Sequence, residues 1–385
     1  MSSKKNNLKI GIDIRNIGKQ RTGSEVVVLE LTKRILKIDQ ENEYILLTDT
    51  NDNYVINYVI NSLQLKDKKN VKIVSIPTTN KFIWSFWNLP QWVRKNKLDI
   101  YHTEYILPFF MPKNTKLITH IHDVSFKAYR KFISWKDIFF LDIFIPWSIH
   151  KADKIIAVSE FTKNEIIKYY NVDFEKVEII YNSTDLMKKT DEFNEEETRK
   201  KYNFPEKFIF YVGTLQPRKN IPILIEAYAR IKNKIPKMKL VIAGDKKAHN
   251  FDKKIDEIIK KYNLTDQEII FSGFIDREDK MVAYKLARTL VAPSFYEGFG
   301  IVPLEAMEAN IPVLVSDIPP HREVCGDMAI YFNLENLDEL EKKLYTICID
   351  KDLRNRLINL EKSRVSFFSW EKSAKKLLEI YKSLK

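Results

Sequence analysis

At 385 residues, with 44% hydrophobic and 30% charged side chains, the chain has the make-up of a soluble globular protein. It is too long for one ordinary core and suits two domains of about 190 residues each. No apolar run reaches the ~18 residues of a membrane span, and two cysteines, Cys325 and Cys348, behind a start without a secretory pattern, point to a reducing cytoplasm. The net charge of +12 is uneven: residues 1–190 hold 30 basic and 21 acidic side chains, net +9, against 34 and 31, net +3, in the remainder. Such an excess suits nucleic acid, anionic lipid or a phosphorylated acceptor, although a solvated basic face is the commoner reason for it.

Leu8–Asp13 reads as a first β-strand, followed by a loop with Gly18 and Gly23 and a helix over Ser24–Leu36. The G-x-G-x-x-G spacing of a dinucleotide site and the P-loop pattern are both absent. Apolar runs at Tyr44–Leu47, Val71–Ile76, Asp99–His102, Lys116–His122, Lys154–Ser159 and Val177–Tyr181 predict further strands, with helix-length segments such as Phe161–Tyr170 between several of them. This alternation predicts a parallel sheet covered on both faces. The polar, charged stretch Asn182–Glu206 reads as an interdomain linker. A second alternating series follows, with strands at Phe208–Val212, Leu240–Ala243, Ile269–Ser272, Thr289–Ala292, Val313–Ser316 and Ala329–Phe332, and helices at Pro222–Ile235, Phe251–Tyr262, Arg277–Ala287 and Asp338–Ile349. The fold class is therefore α/β, with two Rossmann-like doubly wound domains, and ligands are expected in the cleft outside the carboxyl ends of the strands.

Chemistry concentrates at three strand ends. Phe208–Val212 runs into GTLQPRKN, which places Gly213, Arg218 and Lys219 before a helix start, a combination suited to a diphosphate. Ile269–Ser272 runs into Gly273, Phe274 and Ile275. The stretch Val291–Pro312, VAPSFYEGFGIVPLEAMEANIP, reads as strand, loop and helix, the helix entered at Pro303. Its acids Glu297 and Glu305 are spaced E-x7-E around Gly298 and Gly300. In a chain with 9 glycines such placements are not incidental. In the first half LITHIHDVSF ends a strand with His120, His122 and Asp123 together; a strand-end histidine is more often structural than catalytic, and a metal site would need a third ligand the sequence does not offer.

SFYEGFGIVPLEAMEANIPVLVSD resembles the donor-site signature of retaining glycosyltransferase family 4, whose fold is GT-B. The resemblance implies an N-terminal acceptor domain over residues 1–188 and a C-terminal donor domain over 189–369, with the amphipathic helix 370–385 packing back on the first. It implies that Glu305 holds the donor ribose, that Glu297 sits near the sugar, and that amides from Phe299, Gly300 and Ile301 beside Gly298 touch sugar hydroxyls or phosphate. By the same resemblance Arg218 and Lys219 would stabilise the departing diphosphate, Gly273, Phe274 and Ile275 would lie beside the base, and His122 would meet the donor sugar. The chain departs from the family pattern at Thr214, where many relatives carry Arg, and at Asn182–Asp185 in place of N-G-x-D. DIRN and GTLQPRKN resemble bacterial mannosyl- and rhamnosyltransferases of surface polysaccharide. GDP-mannose is thus the first donor to consider, with a glycan or lipid-linked acceptor at the inner face of the cell membrane, no cofactor and no catalytic metal. Asp350–Asp352, the one D-x-D, reads as a helix cap. The aromatic stretches Phe82–Trp92 and Ile133–Lys151 read as buried helices or as a face that meets an anionic membrane. A sugar-nucleotide epimerase of the same fold is the competing enzyme. Nucleic-acid binding is disfavoured because no recognition motif is present.

Overall fold

The computed structural model describes residues 7–18, 23–78, 80–132, 135–186, 194–247 and 250–385. They form two compact units. One takes the chain through Val124, then Trp135–Asn182 and Ser369–Lys385; the other takes Ser125–Ser134 and Ser183–Phe368.

The first unit holds strands β1 (Lys9–Asp13), β2 (Glu43–Thr48), β3 (Val71–Ser75), β4 (Ile100–Glu104), β5 (Lys116–Ile121), β6 (Lys154–Ala157) and β7 (Val177–Ile179). They pair in parallel in the order β3-β2-β1-β4-β5-β6-β7. Strands such as KLITHI are almost wholly buried because helices cover both faces, which is why they read as unbroken apolar runs. The sheet grows outward from β1 in both directions, so its switch point lies between β1 and β4. Helix Gly23–Ile38 packs on one face together with the last helix, Trp370–Ser383, whose Trp370, Leu377 and Tyr381 join Ile10, Leu31 and Ile35 in one core. The Ser373 hydroxyl donates to the Tyr181 carbonyl at 2.6 Å, and Tyr381 Oη meets His102 Nδ1 at 2.7 Å.

The second unit repeats the plan with β8 (Phe208–Val212), β9 (Lys239–Ala243), β10 (Ile269–Gly273), β11 (Thr289–Ala292), β12 (Val313–Ser316) and β13 (Ile330–Phe332). All pairs are parallel, in the order β10-β9-β8-β11-β12-β13. Its switch point lies between β8 and β11. The glycines at its strand ends allow close approach: a Cβ on Gly244 would lie 2.4 Å from the Gly213 carbonyl oxygen, and Gly244 N–H donates to Gly273 O at 2.9 Å. Most of the non-glycine left-handed positions among the described residues are asparagines, at Asn171, Asn203, Asn220, Asn250, Asn263 and Asn310, the others being Gln64, Lys97 and Tyr105; asparagine is the non-glycine residue that tolerates this region best.

Two expectations are corrected. Residues 182–206 are not all linker: Glu195–Tyr202 is a helix, capped by the Asn194 side chain, which accepts from Glu197 N–H. Only Thr198 and Tyr202, four apart, turn inward, so the segment shows hardly any apolar period. Tyr202 Oη donates to Asp279 at 2.7 Å and accepts from Asp276 N–H at 3.1 Å, tying this helix to the loop after β10. Residues 187–193 lie outside the described set. The helix of the E-x7-E stretch is Ile301–Glu308, capped by Gly300 at φ 104°, so Pro303 is its third residue and not its first. A proline is accommodated there because the N–H groups of a first turn have no intrahelical partner. Two helices, Asn53–Leu63 and Lys351–Val365, are not among the expected elements. Asp350 caps the latter, accepting from Leu353 N–H at 2.8 Å.

Candidate active site

At the switch point of the second sheet the loop after β8 lies against the loop after β11. A short turn at Pro217–Lys219 is closed by Asn220 in the left-handed region, and Phe295 N–H donates to Arg218 O at 2.8 Å, joining the two loops through their backbones. Three donors then converge on Glu297. Lys219 Nζ forms a close ion pair with Oε1, Ser294 Oγ donates to the same oxygen at 2.7 Å, and Arg218 Nη1 lies 3.3 Å from Oε2. Arg218 Nη1 also donates to Tyr296 O at 3.2 Å. The Glu297 side chain is 16% exposed. Burial opposes its charge, but the cations of Lys219 and Arg218 outweigh burial and hold its carboxyl down at about 2.

Ser294 is itself anchored, since Ser316 Oγ donates to its carbonyl at 2.6 Å. His321, fully buried, donates from Nδ1 to Ser316 O at 2.9 Å. That carbonyl can only accept, so it fixes the tautomer and leaves Nε2 as an acceptor, buried and without a protein partner. Burial outweighs the pull of Glu297 and keeps this imidazole neutral, its pKa below the usual value.

Glu305 projects from Ile301–Glu308 to a separate cluster. Lys280 Nζ meets its two oxygens at 2.8 and 2.7 Å, and Tyr284 Oη donates to Oε2 at 2.7 Å. In the loop after β10, Phe274 is 47% exposed while the Ile275 side chain is buried. Phe299 is buried and packs its ring on Phe368, centroids 5.3 Å apart. Lys280, Tyr284, Ser294, Ser316 and His321 escaped the sequence reading. A helical register does put Lys280 and Tyr284 on one face, but nothing local says what that face meets. Ser125–Ser134, from the first half of the sequence, belongs to this unit, and the Tyr129 ring lies 6.3 Å from Phe295 and 5.7 Å from Tyr296, next to Glu297.

His122 belongs to the first unit, beyond β5. Its Nε2 donates to Glu104 Oε1, and Asn16 Nδ2 donates to the other oxygen of that carboxylate. These residues follow or end β5, β4 and β1, at the switch point of the first sheet. Behind His122 stand His120 and His102, with ring centroids spaced 4.8 and 5.9 Å. Burial pushes His102 down to about 3 and His120 well below its usual value, so both are neutral. No group of three or more His, Cys, Asp or Glu side chains among the described residues is arranged to hold a metal ion.

The aromatic stretches divide between core and surface. Phe86, Phe109, Phe144 and Trp147 interlock, with Phe109 stacked on Trp147 at 3.9 Å. Around them Trp87 is 61%, Phe110 62% and Phe139 68% exposed. No helix among the described residues is long and apolar enough to cross a membrane.

Two family descriptions match the chain in tandem: Glycosyltransferase Family 4 over residues 21–188 and Glycosyl transferases group 1 over residues 194–364. The O-antigen chain mannosyltransferase B of Escherichia coli is 26% identical over 302 residues, 76% of this chain and 77% of the relative. The serotype-specific mannosyltransferase WbdA of Escherichia coli is 27% identical over 232 residues, 60% of this chain but 28% of that longer protein. Among solved structures, the sucrose-phosphate synthase of Thermosynechococcus elongatus superposes with a TM-score of 0.76 at 20% identity, covering 98% of this chain and 99% of that one.

Proposed function

Since the chain belongs to glycosyltransferase family 4 and has the GT-B fold, we propose that it moves a sugar, mannose in the first instance, from a nucleoside diphosphate to a glycan or lipid-linked acceptor, with retention at the anomeric carbon. The observation that carries this reading is the convergence of Arg218, Lys219 and Glu297 at the switch point of the second sheet. A nucleotide sugar leaves behind a diphosphate, so the barrier falls where fixed positive charge meets the charge developing on the leaving oxygen. Arg218 and Lys219 supply that charge from the protein. The amides of Gly298–Ile301 and the exposed Phe274 beside Gly273 serve sugar and base, Glu305 serves the ribose, and His122 serves the sugar. The reaction is taken as a front-face one, without a covalent intermediate, in which the leaving phosphate takes the acceptor's proton. The relatives named as mannosyltransferases favour mannose. The exposed Trp87, Phe110 and Phe139 on the more basic half of the chain favour an acceptor presented at an anionic membrane.

The test is turnover against a panel of nucleotide sugars with lipid-linked and oligosaccharide acceptors, with and without EDTA, and product configuration read by NMR. We expect GDP-mannose to be used, the α-configuration to be retained and EDTA to have no effect. Inversion would refute the mechanism, and activity lost in EDTA and restored by manganese or magnesium would show that a metal supplies the charge assigned to Arg218 and Lys219.

A further inference from the structure

A site built for a diphosphate must hold its cations when no diphosphate is present. Here Arg218 and Lys219 are adjacent in sequence, with side chains 22% and 13% exposed, so water screens them little. Their charges are met by Glu297, whose two oxygens divide between them, and Ser294 adds a third donor to the same carboxylate. The two charge-assisted contacts, one to each of a planar pair of oxygens, are contacts that phosphate oxygens would make with the same two cations. The carboxylate and an incoming diphosphate therefore compete for the same donors.

The competition does not weigh equally on substrate and product. A diphosphate esterified to a sugar has lost its terminal ionisation, whereas the free nucleoside diphosphate carries close to one further negative charge at neutral pH, the second phosphate pKa being about 6. A fixed carboxylate beside the cations repels the more highly charged species more. We infer that Glu297 is the internal counter-ion of the Arg218–Lys219 pair, exchanged for the donor's diphosphate on binding, and that it makes the site discriminate against the free nucleoside diphosphate relative to its sugar ester. This rests on the donor-site reading above and adds to it: the same acid that neutralises the empty site hastens departure of the product. Ser294, held in turn by Ser316, sets how firmly the carboxylate stays in place.

The test is calorimetric titration of the full chain with inorganic pyrophosphate, GDP, UDP and the sugar esters GDP-mannose and UDP-glucose. Glu297→Gln, which keeps the shape and removes the charge, should bind pyrophosphate about tenfold tighter than the wild type, the scale set by one partly screened like charge a few Å away. It should bind the nucleoside diphosphate that the wild type accepts tighter by a similar factor, with a clearly smaller gain for the corresponding sugar ester. Ser294→Ala should shift pyrophosphate affinity in the same direction by a smaller factor, which keeps the test open if Glu297→Gln does not fold. Unchanged or weaker pyrophosphate binding by a folded Glu297→Gln, or no measurable binding by any of the three proteins, would overturn the inference. An equal gain for ester and free diphosphate would overturn the discrimination. Tightening for pyrophosphate while the wild type turns over no sugar nucleotide would uphold the counter-ion and remove the donor assignment.

Discussion

Truncating Glu305 to alanine tests whether the second acid of the E-x7-E stretch is a ligand-binding group held in place by its own cage. Glu305 is 5% exposed and engages Lys280 through both oxygens and Tyr284 through one. Its removal leaves the Tyr284 hydroxyl buried without its acceptor and the Lys280 ammonium without a counter-charge. Breaking one side of a buried ion pair costs about 3–5 kcal/mol. The Lys280 side chain is 23% exposed and recovers part of that from water, whereas the orphaned hydroxyl adds about 1–3 kcal/mol. With about 2 kcal/mol recovered from water, a net loss of roughly 2–6 kcal/mol is expected, at about 2–4 °C of unfolding temperature per kcal/mol for a domain of this size. Scanning calorimetry of the full chain reads it. In a double-mutant cycle Lys280→Met should recover at least about 1.5 kcal/mol, because it removes the stranded charge. In the enzyme assay Glu305→Ala should raise the donor KM and leave kcat little changed, the sign of an interaction made equally in ground and transition states. An additive cycle, or a fall in kcat at constant KM, would refute the argument.

His102, His120 and His321 are buried and neutral, their pKa values lowered by burial, His102 to about 3. The unfolded chain binds their protons below about 6.5, so their contribution to stability is complete above that pH and is lost as pH falls below it, by up to about 1.4 kcal/mol per pH unit for each. Tm should therefore drop between pH 7 and pH 5, and a flat profile would show that the three histidines take up protons in the fold. The chain should float with anionic liposomes at low salt and not at high salt, at about 1 kcal/mol per basic residue near the surface. Serine at Trp87, Phe110 and Phe139 together should abolish flotation, and equal binding to neutral vesicles would remove the membrane reading.

The strands were legible because parallel strands buried on both faces read as continuous apolar runs, and the runs at 208–212 and 289–292 coincide with β8 and β11 to the residue. The acids and cations of the loops were legible because loops at strand ends concentrate chemistry. Their partners were not. Lys280 lies 25 residues before Glu305, and Glu104 lies 18 before His122; only the packing of separate elements brings each pair together, and neither spacing carries a signal. Helix Glu195–Tyr202 passed for linker because two inward residues do not make a period. Glycine scarcity read correctly at Gly300, which lies at φ 104°, but the left-handed turns taken by asparagine leave no comparable mark.

The membership of Ser125–Ser134 in the second unit bears on how such enzymes exchange specificity. A chimera joined at residue 183 would import a second unit whose Phe295 and Tyr296 rings meet the host's own version of Tyr129. The second unit is thus not a portable cassette: the segment around Tyr129 must travel with it, or a foreign surface is laid beside Glu297. Recombination between relatives that differ at this segment would mismatch that packing, so the segment and residues 183–368 are expected to diversify as a matched set.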